Sequence, residues 1–96
     1  MVLLTKRYHS VYGEIDLVMK EGSILVFVEV KTRTRGIMGT GLNAITPAKQ
    51  KRLLKTASMY LAEKGADCTV RFDAVEITPE GIVHVPNAFD ASGVSW

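Results

Sequence analysis

The run ILVFVEVKTR at Ile24–Arg33 constrains the fold more than any other part of the chain. Its β-branched and aromatic residues favour extended backbone. A side-chain period of two puts Val26, Val28 and Val30 on one face and Leu25, Phe27, Glu29 and Lys31 on the other. A strand that is apolar on both faces belongs inside a sheet, with cover on each side. Two charged residues share one of those faces: Glu29 and Lys31 leave the backbone about 7 Å apart, close enough to serve one site.

The rest of the chain arranges itself around this strand. Val2 to Tyr8 has a strand pattern. Glu14 to Lys20 reads as a second strand, with Ile15, Leu17 and Met19 on one face and Glu14, Asp16 and Val18 on the other. Glu21-Gly22 supplies a turn, and the three strands form a meander of hairpins. Thr46-Pro47 is a helix start, Thr as N-cap and Pro at the first helical position, and the helix runs to Lys64-Gly65. Leu53, Leu54, Ala57, Tyr60 and Leu61 form its inward stripe, with Lys49, Lys51, Arg52 and Lys55 largely outside it. Thr69 to Ile77 and Ile82 to Val85 complete about five strands, giving an α/β domain with a mixed central sheet and one long helix. One helix covers one face of a sheet. The second face is expected to be covered by the tail with Phe89 and Trp96, or by a second copy of the chain in a homodimer.

At 96 residues the chain is the size of a single domain, and its 47% hydrophobic content excludes a disordered protein. The longest unbroken apolar run, Ile24 to Val28, falls far short of the roughly 20 residues that span a bilayer, and MVLL is too brief for a signal peptide. A cytoplasmic protein is expected. The lone Cys68 forms no intramolecular disulfide and reads as a small core residue.

The net charge of +2 conceals an asymmetry. Between Val30 and Ala62 there is no acidic residue, while Lys31, Arg33, Arg35, Lys49, Lys51, Arg52 and Lys55 give a local charge of +7, against −5 for the rest. Such clustering suits a polyanion, because each neutralised phosphate releases counterions; a solvated basic helix face has the same composition. The segment TRTRGIMGTGLNAI, lacking any dinucleotide-binding glycine spacing, reads as a long flap between strand and helix.

If the second and third strands pair around Lys20 to Ser23, Asp16 approaches Glu29 or Lys31 across the ladder. Two carboxylates and an ammonium then converge. Hard oxygen donors of this kind hold Mg²⁺ or Mn²⁺ with open water positions, as phosphodiester hydrolysis requires, and Lys31 would orient the water or stabilise developing charge. A plain cross-strand ion pair between Glu29 and Lys31 uses the same residues. Gln50, on the inward stripe one turn before Leu54, is either a contact to the site or an ordinary boundary residue. His9 and His84 have no ligand spacing.

GEIDLV at Gly13–Val18 followed by VFVEVKTR at Val26–Arg33 resembles the YraN-like family of bacterial proteins. The resemblance continues through NAITPAKQKRL at Asn43–Leu53, RFDAVEI at Arg71–Ile77 and NAF at Asn87–Phe89, and so covers most of the chain. It implies a restriction-endonuclease-like fold, in a superfamily shared with Holliday junction resolvases. Their PD-(D/E)XK pattern maps Asp16 onto the first acid, Glu29 onto the second and Lys31 onto the lysine, with Glu14 as an extra acid. The implied metal set is Glu14, Asp16 and Glu29. Helical Gln or Lys residues often face the site in related nucleases, which would add Gln50. Members of the family usually begin with a further helix carrying its own Glu; this chain starts almost at the first strand, which on the resemblance would remove one acidic ligand and part of the sheet cover. Three functions follow as expectations: a Mg²⁺- or Mn²⁺-dependent endonuclease acting on DNA, with branched DNA among its substrates; a non-catalytic nucleic-acid-binding module of the same fold; and a protein-interaction subunit.

Overall fold

The computed structural model describes residues 1–32, 46–66 and 68–89. Five strands form one sheet in sequence order: β1 (Val2–Ser10), β2 (Gly13–Glu21), β3 (Ile24–Thr32), β4 (Val70–Thr78) and β5 (Gly81–Val85). The helix α1 (Pro47–Lys64) lies between β3 and β4 in the chain. The β1–β2, β2–β3 and β4–β5 pairs are antiparallel, whereas β3 and β4 are parallel. Parallel neighbours need a crossover, and the helical segment supplies it. The sheet is therefore mixed and the class α/β, as the sequence pattern expects. No helix among the described residues is long and apolar enough to cross a membrane.

The ends of α1 follow from local chemistry. Thr46 is extended, and its Oγ1 accepts the Lys49 N–H at 3.2 Å, satisfying a donor that the first turn would leave unpaired. Pro47 follows at the first helical position. Gly65 terminates the helix at φ 62°, ψ 29°, a left-handed conformation that costs glycine little, and the Ala66 N–H reaches back to the Leu61 carbonyl at 2.9 Å.

The helix packs on one side of the sheet, where Leu53, Leu54, Ala57 and Tyr60 meet Ile15, Val18, Leu25, Phe27, Phe72 and Ala74. An aromatic chain runs through this core. Tyr8 meets Tyr60 edge-on at 5.1 Å, Tyr60 meets Phe27 edge-on at 5.8 Å, Phe27 stacks on Phe72 at 5.4 Å, and Phe72 stacks on Phe89 at 4.9 Å. Thr56 is fully buried on the same helix face. Its hydroxyl donates to the Arg52 carbonyl and lies 2.9 Å from Ser10 Oγ, so burial leaves it satisfied. At the edge, the Tyr8 hydroxyl donates to Glu63 Oε2 at 2.7 Å. That bond to a carboxylate, with burial second, pushes the phenol up to about 12.

Three expectations are corrected. Strict alternation separates Ile15 from Val18, yet both are buried in the helix-side core. The opposing strand departs from regular geometry between their partners: Arg7, lying between Thr5, paired with Val18, and Tyr8, paired with Ile15, has φ 49°, which breaks simple period-two order there. Cys68, expected in the core, is exposed.

On the second face of the sheet, part of the cover comes from within the chain and not from the tail. Val26 and Val28 are 0% and 3% exposed. Phe89 packs on Phe72 in the helix-side core and leaves the far face alone, and Trp96 lies outside the described residues. This part of the cover comes from β4. Arg71 points away from the helix, stands in register with Val26, and reaches across β3 to Glu21 on β2 at 3.0 Å. Its guanidinium also makes two bonds to Asp73, at 2.8 and 2.9 Å. The buried Asp73 carboxylate further accepts the Asn87 N–H at 3.0 Å and lies 2.7 Å from His84 Nε2, which must carry the proton of that bond. A polar clasp thus roofs the aliphatic face, with the stem of Arg71 as its apolar part.

Candidate metal and nucleic-acid site

The β2–β3 ladder is regular from Glu21↔Ile24 to Leu17↔Val28. Beyond that pair the acceptor for β3 is a side chain: Asp16 Oδ2 takes the Val30 N–H at 2.7 Å. Sequence alternation sets Glu29 on the helix side of β3, and there it meets α1. Glu29 Oε1 lies 2.6 Å from Lys49 Nζ and 3.4 Å from Lys31 Nζ, with its side chain 11% exposed. The Glu29 carboxylate is thereby shared by two ammonium groups, one from its own strand and one from the first turn of the helix.

The electrostatics join Asp16 to this group. Burial alone would lower Lys49, but its bond to Glu29, its contact with Lys31 and the charges of Glu29 and Asp16 hold it above the ordinary lysine value. Lys31 is pushed the other way, first by Lys49 and then by burial, against the pull of Glu29. Glu29, Lys31 and Lys49 are thus in contact, and the Asp16 carboxylate, held on the Val30 N–H next to Glu29 in the chain, adds its charge to the field at Lys49.

The other expected residues divide. Glu14, two residues before Asp16 on β2, sits 3.9 Å from His9 Nε2 and lines a cavity with Lys49. Asp16 in turn borders a cleft with Lys6, Arg7, Leu17 and Val30. Among the described residues, no three His, Cys, Asp or Glu side chains are gathered as a ready-made metal cage. Gln50 is half-buried, its N–H bonded to the Thr46 carbonyl. Of the basic residues assigned to phosphates, Lys51 and Arg52 are exposed, Lys55 lies against the Tyr12 ring at 5.2 Å, and Lys49 turns inward to Glu29. Arg33 and Arg35 lie outside the described residues.

Glu76 was not among the candidates. It is 5% exposed and stands in register with Lys31 across the parallel β3–β4 pair. A signal existed in the sequence: Phe72, Ala74 and Glu76 alternate, so a carboxylate shares the face of two core residues.

Carboxylate oxygens are the donor type that small hard cations take, and Mg²⁺ commonly uses only one or two of them beside several waters. A nearly buried carboxylate that draws two ammonium groups marks a point that demands positive charge.

Comparison with known proteins gives one consistent answer. The model of the uncharacterised protein family UPF0102 matches residues 1–77. The chain is 43% identical over 91 residues to a UPF0102 protein of Nitrosomonas eutropha, covering 94% of this chain and 78% of that protein. It is 45% identical over 95 residues to one of Nitrosomonas europaea, covering 96% and 80%. A UPF0102 protein of Geobacter metallireducens is 42% identical over 93 residues, covering 92% and 76%. The chain belongs to the UPF0102 family.

Proposed function

We propose that this protein is a nuclease of the PD-(D/E)XK type that hydrolyses phosphodiester bonds in DNA with the help of Mg²⁺ or Mn²⁺. The observation that carries the reading is the Glu29 carboxylate held between Lys31 and Lys49, with Asp16 fixed on the N–H of the next residue, Val30, where the β2–β3 ladder gives way to a side-chain contact. When bound, the cation supplies Lewis acidity toward the phosphate and acidifies a nearby water. Asp16 and Glu29 would hold it. Asp16 is positioned by the Val30 N–H, and Glu29 by strand alternation and the docked helix. Lys31, on the Glu29 face, orients the attacking water and balances charge that grows on the phosphate. Lys49 has two tasks: it neutralises Glu29 while no cation is present, and it turns to a phosphate oxygen when one is. Lys51 and Arg52, exposed on the next turn, extend the positive track along the backbone of the nucleic acid.

The test is incubation of the purified protein with labelled linear, single-stranded and branched DNA in Mg²⁺, Mn²⁺ or EDTA. Cleavage in either cation and none in EDTA is the expected result. Intact DNA binding without cleavage under every condition would leave a non-catalytic binding module in place of the nuclease.

A further inference from the structure

A cavity of about 200 Å³ opens beside the Glu29–Lys49 pair, between the β1–β2 turn and the first turns of α1. Tyr12, Gly13 and Glu14 form one wall, and Lys49, Arg52 and Leu53 the other. Lys49 connects the cavity to the candidate metal site, because the same ammonium lines the one and bonds Glu29 in the other. The turn that borders the cavity is unusually apolar for a hairpin tip. Val11 is 88% exposed and Tyr12 42% exposed, where turns ordinarily carry Gly, Asn, Asp or Ser. Lys55 Nζ stands 5.2 Å from the Tyr12 ring centroid, a cation–π contact that restrains the ring and places a phosphate-seeking charge beside it.

These features suit a single unstacked base: the cavity is small, aromatic on one wall and cationic on the other. The half-exposed Tyr12 ring, with Lys55 over one face, leaves its other face for stacking, the Glu14 carboxylate can accept from base N–H groups, and Lys49 and Arg52 on the opposite wall supply charge for a neighbouring phosphate. A base inside a duplex has both faces covered and cannot reach such a surface.

We infer that the cavity at Tyr12 receives the unstacked base of a nucleotide adjoining the cleaved bond, so that the substrate is DNA with unpaired nucleotides, as in a single strand, a flap or a branch, rather than continuous duplex. The inference rests on the nuclease reading above and specifies its substrate.

Fluorescence anisotropy of the full chain in EDTA tests it, with a labelled single-stranded oligonucleotide, the same strand with its bases replaced by abasic sugars, and a hairpin duplex. The wild type is expected to bind the single strand more tightly than the duplex. Tyr12→Ala is expected to weaken single-strand binding about tenfold or more while leaving duplex binding unchanged, and Tyr12→Phe to retain the wild-type affinity. The abasic strand is expected to bind both wild type and Tyr12→Ala equally. A preference for duplex, or an equal loss on all three ligands, would overturn the stacking site and leave the nuclease reading standing. Failure to bind any of them at low salt would remove both.

Discussion

Asp73→Ala is expected to lower unfolding stability by about 3 kcal/mol, a loss on the scale of emptying a core aromatic site. The Asp73 side chain is fully buried and accepts bonds from the Arg71 guanidinium, His84 Nε2 and the Asn87 N–H. Removal leaves Arg71 in a partly buried position with only Glu21 as counterion, and it uncovers Val26 and Val28 if the arginine swings outward. A protein of this length has total stability of roughly 5–14 kcal/mol, so the loss is a substantial share of it. Urea unfolding followed by circular dichroism measures it. The same group sets an acid limit. Burial by itself would raise the carboxyl, but Arg71, the Asn87 N–H and His84 together hold it below its ordinary value of 3.8. A depressed folded pKa contributes stability that is fully present above 3.8 and is lost as pH falls through the folded value. Wild type is therefore expected to lose more stability than Asp73→Asn when pH is lowered from 5 into that range. Equal acid sensitivity in the two proteins would contradict the clasp.

Glu29→Gln is expected to reduce DNA cleavage at least about a thousandfold while leaving DNA binding intact. The substitution keeps the shape of the side chain and removes its charge. A carboxylate that holds a catalytic cation supports several kcal/mol of transition-state stabilisation, and each 1.4 kcal/mol is a factor of ten in rate. The folded protein survives the change. Lys49 and Lys31 lose their shared counterion, but each is partly exposed and can turn toward water, with side chains 25% and 29% accessible. Binding is expected to be equal or tighter, since one negative charge leaves a surface that meets phosphates. Equal residual cleavage in wild type and Glu29→Gln would identify a contaminating nuclease. Loss of binding together with cleavage would mean that Glu29 is structural.

Much of this arrangement was legible in residue order because it is encoded locally. Thr46-Pro47 and Gly65 bound the helix through their own backbone preferences, and the alternation of β3 places Glu29 and Lys31 on the face that α1 covers. What escaped depends on elements brought together from far along the chain. Lys49 looks like one of several surface lysines until the helix is docked against β3, and only then does it lie 2.6 Å from Glu29. The Arg71–Asp73–His84 clasp needs β4 beside β3 and β5 beside β4 before its charges meet, so the two-residue spacing of Arg71 and Asp73 gave no sign of a roof over Val26. That roof is built within the chain, and Val26 and Val28 are buried beneath it. The shared burial of Ile15 and Val18 follows from a left-handed residue in the neighbouring strand, which no periodicity in β2 itself reveals. Glu76 was legible and overlooked: its place in the Phe72–Ala74–Glu76 alternation marks a carboxylate on the site side of the sheet.

The central claim is that Asp16 and Glu29 together hold a divalent cation. Titration of the purified protein with Mn²⁺, followed by the loss of the free-ion signal in electron paramagnetic resonance, tests this without reference to any substrate. One ion bound per chain in the wild type, with binding weakened at least about tenfold in both Asp16→Asn and Glu29→Gln, is the expected result. No binding in the wild type, or binding unchanged by either substitution, would contradict the claim and reduce the cluster to an ion-paired element of the fold.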